Sequence, residues 1–413
     1  MTDPSAINQI TLNGVALDLE TVTYDVSIMH GRSDVTSTPQ ASNAQIIIRG
    51  ATGLDPEITD ILSIKAYGYH RFTGEITDIS ITHLSSEPPL ALTTITAMGF
   101  LSRIGSVTVG LDGWDEQTVR ARVEEILNAT GETYANGADP DVLFHALNAA
   151  HAEPTDALTA LAAIAEQTGA TYYDSPNGTI VFESYGSRGI TTFPGTWSNN
   201  TEPWSEYEQT WGSFPTSLTS YTLPSEGVVF TPQWTRTRQT IVNDVTVLGH
   251  ASSGTGHGTD WEVNQTDSAS IATYGRRAYR LQTEIKLEDD GVTRAGNILT
   301  AQANPLWSLG QISVYVHQLQ AADIAAVLQL VNGEAVNILD LPQPAPLGQF
   351  LGIVEGWGER FADNQHVLTL SISDPRYSFQ TITWEQVDEA LEWGDIPADL
   401  QWFQIITGNE LAA

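Results

Sequence analysis

Residues 243–305 constrain the fold most, because three elements of different character follow one another there. Val245 and Val247 alternate with polar or differently facing neighbours, which predicts a half-buried strand. Residues 270–277, Ser-Ile-Ala-Thr-Tyr-Gly-Arg-Arg, then predict a corner. Residues 292–303 predict a helix that ends before Asn304-Pro305, since the residue before a proline disfavours helical backbone. We interpret the rest of the chain around this strand, corner and helix.

The first 105 residues alternate in the manner of strands. In residues 72–84, FTGEITDISITHL, the phase of the alternation slips between Ile76 and Ile79, which predicts a β-bulge. Many short strands at this spacing predict a small antiparallel barrel or sandwich over residues 1–110. The other predicted strands of this region cover residues 10–15, 22–28, 44–49, 61–69 and 92–98.

Residues 111–190 change to an α+β pattern. One amphipathic helix is predicted to be N-capped by Asp115 with Thr118 and to end near Thr130-Gly131. A second is predicted over residues 155–168, capped by Thr155 or Asp156 and stopped by Gly169.

A hairpin is predicted directly after these two helices. Two strands over residues 170–174 and 179–183 flank Ser-Pro-Asn-Gly, and we expect Asn177 and Gly178 to supply positive φ values at the turn. Together the two helices and the hairpin predict an α+β insert.

Tryptophans are concentrated in two weakly periodic segments. Residues 191–235 predict a long ordered linker rich in Trp and Pro, with Trp197, Trp204 and Trp211 docked on apolar surface. Residues 381–413 form a tail with Trp residues at nine-residue steps, a spacing that one helix would not place on one face. We expect short hooks there, each laying one of the following residues in a groove of the body or of a neighbour: Trp384, Trp393 and Trp402.

Residues 236–380 predict a second domain rich in strands. After the helix, candidate strands cover residues 310–317, 325–330, 335–339, 349–357 and 367–373. Asn332-Gly333 is the predicted turn between the second and third of them.

Composition excludes several classes of function. The chain of 413 residues has no cysteine, which rules out disulfides, a thiol nucleophile and Cys-ligated metal. No apolar run reaches the roughly 18 residues of a membrane helix, and the N-terminus lacks the pattern of a secretory signal. The net charge of −33 comes from 17 basic against 50 acidic residues, with Lys65 and Lys286 the two lysines. Such a chain is poorly suited to bind a phosphate backbone; its acidity serves solubility or lines a passage through which DNA slides.

No motif predicts catalysis, a cofactor or a metal. There is no phosphate loop, dinucleotide fingerprint or nucleophile elbow. His250 and His257 flank a loop where a metal site competes with a solvated loop, and Glu75 with Asp78 offers a weak glycosidase hypothesis. The residues that we predict at interfaces are Trp384, Trp393, Trp402, Trp197, Trp204, Trp211, Arg276 and Arg277, the two arginines being candidates for anion binding, for a tied corner or for an interface.

Four segments together resemble one known family. They are FTGEITDISI with TTITAMGFLSRIG, LTALAAIAEQTGATYYDSPNGTIVFES, NDV with DSASIATYGRR, and FLGIVEGWGERF with HVLTLSISDP. In order and spacing they resemble the hub or minor tail proteins of long-tailed phages, and the Trp-spaced tail resembles those of actinobacterial phages. The resemblance implies two small antiparallel β-barrel-like domains, an α+β insertion between them and an extended C-terminal tail.

The resemblance also implies a function without catalysis. A hub protein is a structural part of the tail tip, a homotrimeric ring that joins the tail tube to the tip around the DNA and tape-measure channel. Its expected partners are the distal tail protein, the C-terminus of the tape-measure protein, other minor tail proteins or fibres, and the spike. It is expected in the virion after assembly in the host cytoplasm, with no specific nucleic-acid binding and no membrane insertion.

Other functions compete with this one. The Trp residues suggest a module of the tail tip that binds a receptor or a cell-wall glycan. Hub proteins sometimes carry a cell-wall hydrolase as an extra domain, for which we expect no room in 413 residues. Hubs of contractile tails and of injection systems share the fold, and the sequence leaves them open.

Overall fold

The computed structural model describes fourteen segments of the chain, and the elements below belong to them. They are residues 7–17, 23–35, 37–49, 56–86, 89–136, 146–150, 154–183, 220–223, 228–229, 234–251, 259–309, 311–338, 350–362 and 365–377.

Seven antiparallel strands form the first β unit. They are β1 Ile7–Leu12, β2 Val15–Ala16, β3 Thr23–Gly31, β4 Asn43–Arg49, β5 Ile61–Ala66, β6 Tyr69–Ser86 and β7 Pro89–Met98. Alternation along β5 puts Leu62 and Ile64 into a core with Ile46 and Ile95. The predicted bulge is confirmed, because the register of β6 against β7 shifts between Ile76 and Asp78.

The insert follows β7. Its elements are α1 Leu101–Ile104, β8 Thr108–Val109, α2 Val119–Thr130, β9 Tyr134–Asn136, β10 Thr155–Asp156, α3 Ala157–Thr168, β11 Thr171–Asp174 and β12 Ile180–Glu183. Both predicted helices and their ends are confirmed. Thr118 caps α2 and Asp156 caps α3 through side-chain oxygens, and Gly131 and Gly169 end them in the left-handed conformation.

The hairpin of β11 and β12 is also confirmed, with one correction at its turn. Gly178 has the expected positive φ of 86°, but the expectation for Asn177 is wrong. The loop is longer than a two-residue turn: Ser175 N donates to Thr179 O at 2.8 Å, and the Asn177 side chain accepts from Thr179 N at 3.2 Å. A five-residue loop of this kind needs one left-handed residue rather than two.

The remaining elements belong to a small sheet with two helices and to a second β unit. They are β13 Ser220–Leu223, β14 Val228–Val229, β15 Trp234–Thr235, β16 Asp244–Ala251, β17 Thr259–Thr266, α4 Ser268–Tyr274, β18 Ala278–Gln282, α5 Glu288–Gln302, β19 Ser308–Leu309, β20 Gln311–Tyr315, α6 Ala321–Gln329, β21 Ala335–Ile338, β22 Phe350–Ala362 and β23 Gln365–Ser373. We call β16, β17 and β18 the small sheet, which is accompanied by helices α4 and α5. We call β13, β14, β19–β23 and α6 the second β unit.

Three predictions in this region need correction. The strand predicted over residues 325–330 is wrong: helix α6 covers them, since four of its nine residues are alanine, the strongest helix former. The predicted corner contains α4, whose first turn is capped by the Asp267 side chain accepting from Ser270 N at 2.8 Å. Helix α5 also begins earlier than predicted, at Glu288, because three acidic residues in its first turn complement the helix dipole.

Within the described residues, one 13-stranded sheet runs through both β units. Its order is β14-β20-β23-β22-β3-β4-β7-β6-β5-β1-β2, with β13 and β21 branching from β22. The two units meet where β22 pairs antiparallel with β3, from Gly356 opposite Gly31 to Phe361 opposite Val26. A mainly β fold with an α+β insert is therefore confirmed.

Among the described residues, buried apolar side chains form three cores. One lies in the first β unit, and a second in the second β unit around Trp357, Leu328 and Leu370. The third joins the insert to the small sheet, with Leu161 and Tyr172 packed in the same cluster as Val245 and Ile298. The domain boundaries predicted at residues 110, 190, 235 and 380 remain predictions.

Among the described residues, no helix is long and apolar enough to cross a membrane.

Candidate functional site

A buried ionic cluster occupies the joint between the two β units. Arg71 of β6 has 1% of its surface exposed and donates from Nε and Nη2 to Oε1 of Glu359 on β22, at 2.7 and 2.5 Å. Trp357 Nε1 donates to the same oxygen at 2.9 Å. His366 of β23 lies with Nε2 2.9 Å from the other carboxylate oxygen. Both oxygens of a buried anion are thus satisfied, which a buried charge requires.

The cluster also ties backbone to side chains. Arg71 Nη1 donates to the carbonyl oxygen of Leu328 at the end of α6, and the Arg71 carbonyl lies 2.7 Å from Nε2 of His30 on β3. The His30 ring stacks on Trp357 with centroids 4.5 Å apart, while the Arg71 guanidinium sits 5.6 Å from the Trp357 ring centre. One arginine therefore contacts two elements of the second β unit, β22 and α6, and strand β3 of its own unit.

Protonation states follow from these contacts. Burial alone would raise the pKa of Glu359, but Arg71 and His366 outweigh it and lower the pKa to about 2. Burial lowers the pKa of His30 to about 4 and also lowers the pKa of His366. At neutral pH both rings are neutral, so each donates from a protonated Nε2. The pKa values of Glu359 and His30 lie far from neutrality, so these two groups fix geometry and are unsuited to general acid-base work.

A second ion pair lies on the same seam. Arg32, just after β3, donates from Nε to Glu355 Oε2 at 2.8 Å, and Ser373 donates to the other oxygen of Glu355. The Arg32 backbone N–H adds a bond of 3.0 Å to the Glu355 carbonyl. The β22 chain bulges here, since its register against β23 shifts between Val354 and Gly356.

Glycine is required where β3 and β22 lie closest to each other, at this bulge. Gly31 has φ of 69°, and a Cβ there would collide with Asn332 Nδ2 and the Glu355 carbonyl oxygen. A Cβ on Gly356 would collide with the His30 carbonyl oxygen. The joint therefore combines close backbone contact with two buried carboxylates.

The insert is attached to the first β unit through Asp174. Its Oδ2 accepts from Ser42 N at 2.9 Å and Ser42 Oγ at 3.2 Å, and its Oδ1 accepts from Leu101 N at 2.7 Å. Burial raises the pKa of Asp174 to about 6 in spite of these three donors. Beyond it, Gly178 lies against Phe100, where a Cβ would be 2.6 Å from a ring carbon.

The insert also contacts the second β unit. Gly333 lies against the Glu183 carboxylate at the end of β12, which accepts from Tyr173 Oη at 3.0 Å. Burial, with a contribution from the Glu183 charge, raises the pKa of Glu334 to about 7. The β11–β12 hairpin thus touches both β units at once.

Of the predicted interface arginines, the structure places Arg276 in an ion pair at a corner. Its Nε lies 2.5 Å from Asp244 Oδ2, which lowers the pKa of Asp244 through this hydrogen bond. The neighbouring Arg277 is held by its backbone, since Asn243 Oδ1 accepts from Arg277 N at 2.7 Å.

The predicted Trp residues of the interface lie outside the described part of the chain: Trp384, Trp393, Trp402, Trp197, Trp204 and Trp211. His257 also lies outside it, while His250 Nδ1 lies 2.5 Å from Asp260 Oδ1 at the surface. Glu75 pairs with Arg103 at 3.3 Å. Among the described residues, no group of three His, Asp or Glu side chains is placed to hold a metal ion.

The outer face of the large sheet crosses the joint without a break. One row of laterally paired residues on this face consists of Tyr315, Val367, Arg360, Ser27, Gln45, Thr96 and Asp78. Its one cation, Arg360, lies 3.3 Å from Asp25. The face is therefore polar and carries little positive charge along this row.

Sequence reasoning missed the ionic cluster. A signal exists in β22, where Glu355 and Glu359 share the phase of the buried Trp357 within an otherwise apolar and glycine-rich run; Arg71 gives none, because it is out of phase with the buried Phe72. A charge at a position that the alternation assigns to the core predicts a buried partner. Which partner it finds depends on pairing across 288 residues.

Comparison with known proteins supports the fold. The sequence matches no protein-family model and no curated protein. The structure is similar to a 43 kDa tail protein of prophage MuSo2 from Shewanella oneidensis, with a TM-score of 0.59, 11% identity, and 90% of this chain and 99% of that chain covered. It is also similar to the tail protein from Neisseria meningitidis MC58, with a TM-score of 0.57, 14% identity, and coverage of 91% and 99%. The chain shares the fold of these prophage tail proteins. The shared fold covers 90% and 91% of this chain and 99% of each of the two tail proteins.

Proposed function

We propose that this chain is a hub or minor tail protein that forms a ring at the tip of a phage tail. The observation that carries the proposal is the likeness of 90% and 91% of this chain to two prophage tail proteins, of which it covers 99% each. Because identity is only 11% and 14%, the likeness concerns the fold, and the role rests on the further arguments below.

The joint between the β units supports a structural role. A ring element must carry load between neighbours, which requires that its two β units keep one relative position. The shared sheet, the Arg71–Glu359 pair and the Arg32–Glu355 pair all oppose movement at the joint. No catalytic role is proposed, because the buried carboxylate Glu359 and the His30 ring are committed to contacts with pKa values far from neutrality.

The proposed ring is a homotrimer in the assembled tail. Two β units from each of three copies give six similar positions around an axis, which matches a sixfold tube to a threefold tip. The passage would hold the tape-measure C-terminus and let DNA through during ejection. A net charge of −33 and the polar face described above favour a surface on which a phosphate backbone does not stick.

The partners follow from this position. Above the ring lies the distal tail protein, inside it the tape-measure protein, and outside it other minor tail proteins or fibres that serve host attachment, with the spike below. The protein is then a component of the virion, assembled in the host cytoplasm.

Electron microscopy of purified tails tests the proposal. Antibody to this chain should label the tail tip, and averaged images should show three copies around the tail axis. Labelling along the tail tube, a sixfold arrangement or a single copy would contradict it.

A further inference from the structure

Strands β6 and β7 extend beyond the strands on either side of them. β5 pairs with β6 only as far as Glu75, and β4 pairs with β7 only as far as Leu92. β6 itself continues to Ser86, paired with β7 alone among the described strands. We call residues 80–86 and 89–92 of this ribbon the β6–β7 arm.

The arm exposes apolar side chains. Ile81 is 59% exposed and Leu84 is 51% exposed, and Thr82 and His83 between them are exposed as well. An isolated two-stranded ribbon is at best marginally stable in water, and large apolar side chains on it are unfavourable there. The described residues of one chain leave these side chains uncovered. We therefore expect another surface to cover the arm.

The open edge of β6 lacks the charged and proline residues that often protect a free strand edge. Residues 79–86 of β6 contain no lysine, arginine, acid or proline, although the register against β7 shifts between His83 and Ser85 and Pro89 begins β7. Edges of this kind pair with or pack against other chains unless something blocks them.

Charge favours a second copy of this chain as the cover. Two copies that each carry −33 repel one another except where their surfaces lack acidic groups. Between Ile79 and Thr93 the ionisable residues are His83 and Glu87 alone, although acids make up 50 of the 413 residues of the chain. The arm therefore carries little negative charge, so an identical neighbour can approach it closely without strong repulsion.

The area of the arm suits such a contact. Seven residues of a strand span roughly 23 Å and two strands are about 10 Å wide, so the two faces together offer roughly 450 Å². A specific interface of ordinary size takes about 800 Å² from each partner. The arm therefore supplies about half of a subunit contact.

We infer that the β6–β7 arm is a subunit contact of the ring, seated on a neighbouring copy of the same chain. The inference rests on the proposed function, since a ring of three places the arm of each copy on a different surface of the next.

The experiment compares matched surface substitutions in the purified full chain. Ile81→Ser and Leu84→Ser remove apolar side chains from the arm; Leu111→Ser removes an equally exposed leucine, 64% exposed, from the insert. Native mass spectrometry over a wide range of concentration gives the dissociation constant of the oligomer. Each arm substitution should raise it by about tenfold, and Leu111→Ser should leave it unchanged. Circular dichroism melts confirm that the three variants fold.

A second measurement does not depend on weakening the contact. Because the chain has no cysteine, Thr82→Cys carries one photocrosslinker on the arm. Irradiation of the purified protein should give a product of twice the chain mass.

Each outcome is decisive. Oligomers that form equally well with both arm substitutions, or that are weakened equally by Leu111→Ser, overturn the inference and leave the ring standing. A chain that stays monomeric and gives no crosslinked pair at any concentration also overturns it, while labelling and symmetry of whole tails judge the proposed function independently.

Discussion

Replacing Arg71 by methionine should destabilise the joint between the β units. The methionine fills much of the same volume, but Glu359 then keeps a buried negative charge with only Trp357 and His366 as donors. Removing one partner of a buried ion pair costs about 3–5 kcal/mol. The pKa of Glu359 shows that its partners, Arg71 first among them, outweigh the penalty of burial. It falls from the ordinary 4.5 to about 2, which corresponds to roughly 3 kcal/mol of stabilisation of the anion in the folded chain.

Hydrogen exchange is the suitable assay, because a chain with three separate cores need not unfold in a single transition. A loss of about 3 kcal/mol in local opening free energy raises exchange about a hundredfold. We expect this rise in β22 and in the part of β6 around Arg71, with little change in α3 of the insert.

Two further variants make the result interpretable. Arg360→Met removes an arginine from the joint strand β22 whose side chain is 68% exposed and which pairs with Asp25 at the surface, so it should cost no more than about 1 kcal/mol. Adding Glu359→Gln to Arg71→Met removes the stranded charge and should restore part of the protection. If Arg71→Met behaves like Arg360→Met, or if the double variant is no better than the single one, the buried pair does not hold the joint.

Three other predictions concern the insert and the tail. Asp174, with its pKa raised to about 6, contributes stability that is full below the ordinary pKa of 3.8 and is lost as pH rises through 6. Asp174→Asn should abolish this pH dependence of hydrogen exchange in the hairpin. The substitution should also cost about 1–3 kcal/mol at neutral pH, because its amide N–H₂ faces a backbone N–H. Gly178→Val should cost at least about 1 kcal/mol by calorimetry, from its positive φ and the collision with Phe100, and an unchanged melting temperature would contradict this. Substitution of all three tail tryptophans by serine should yield a folded protein that fails to join tails, and infectious particles carrying it would refute the docking hypothesis for Trp384, Trp393 and Trp402.

Local elements could be predicted because their signals are local. The caps at Thr118 and Asp156, the glycines that end both helices and the bulge after Ile76 each depend on residues within one turn or one strand pair. The strand predicted over residues 325–330 was wrong because the local signal there was ambiguous. Apolar residues in a short run fit a buried strand and a helix equally well, and the alanines of α6 decided between them.

The joint could not be predicted in this way. Glu359 meets Arg71 only because β22 pairs with β3, a strand more than 300 residues earlier in the chain, and the alternation in either strand is compatible with many partners. The buried charges indicate that partners exist without naming them. Charge at a core position was therefore the informative feature, and it was the one that the family resemblance did not draw attention to.

The two attachments of the first β unit respond to acid in opposite directions. At the joint, the lowered pKa values of His30 and Glu359 mean that stability is lost as pH falls, through about 6.5 to 4 for the histidine and 4.5 to 2 for the carboxylate. At the insert, the raised pKa of Asp174 means that stability is gained as pH falls from about 6 towards 3.8. Each shift of His30 and Asp174 amounts to roughly 3 kcal/mol, so these two contributions nearly cancel between pH 4 and 6. The pKa of Glu334, raised to about 7, adds a further gain in stability as pH falls. A measurement on the whole chain therefore mixes opposite responses, and only exchange measured strand by strand shows that the joint loses stability while the insert gains it.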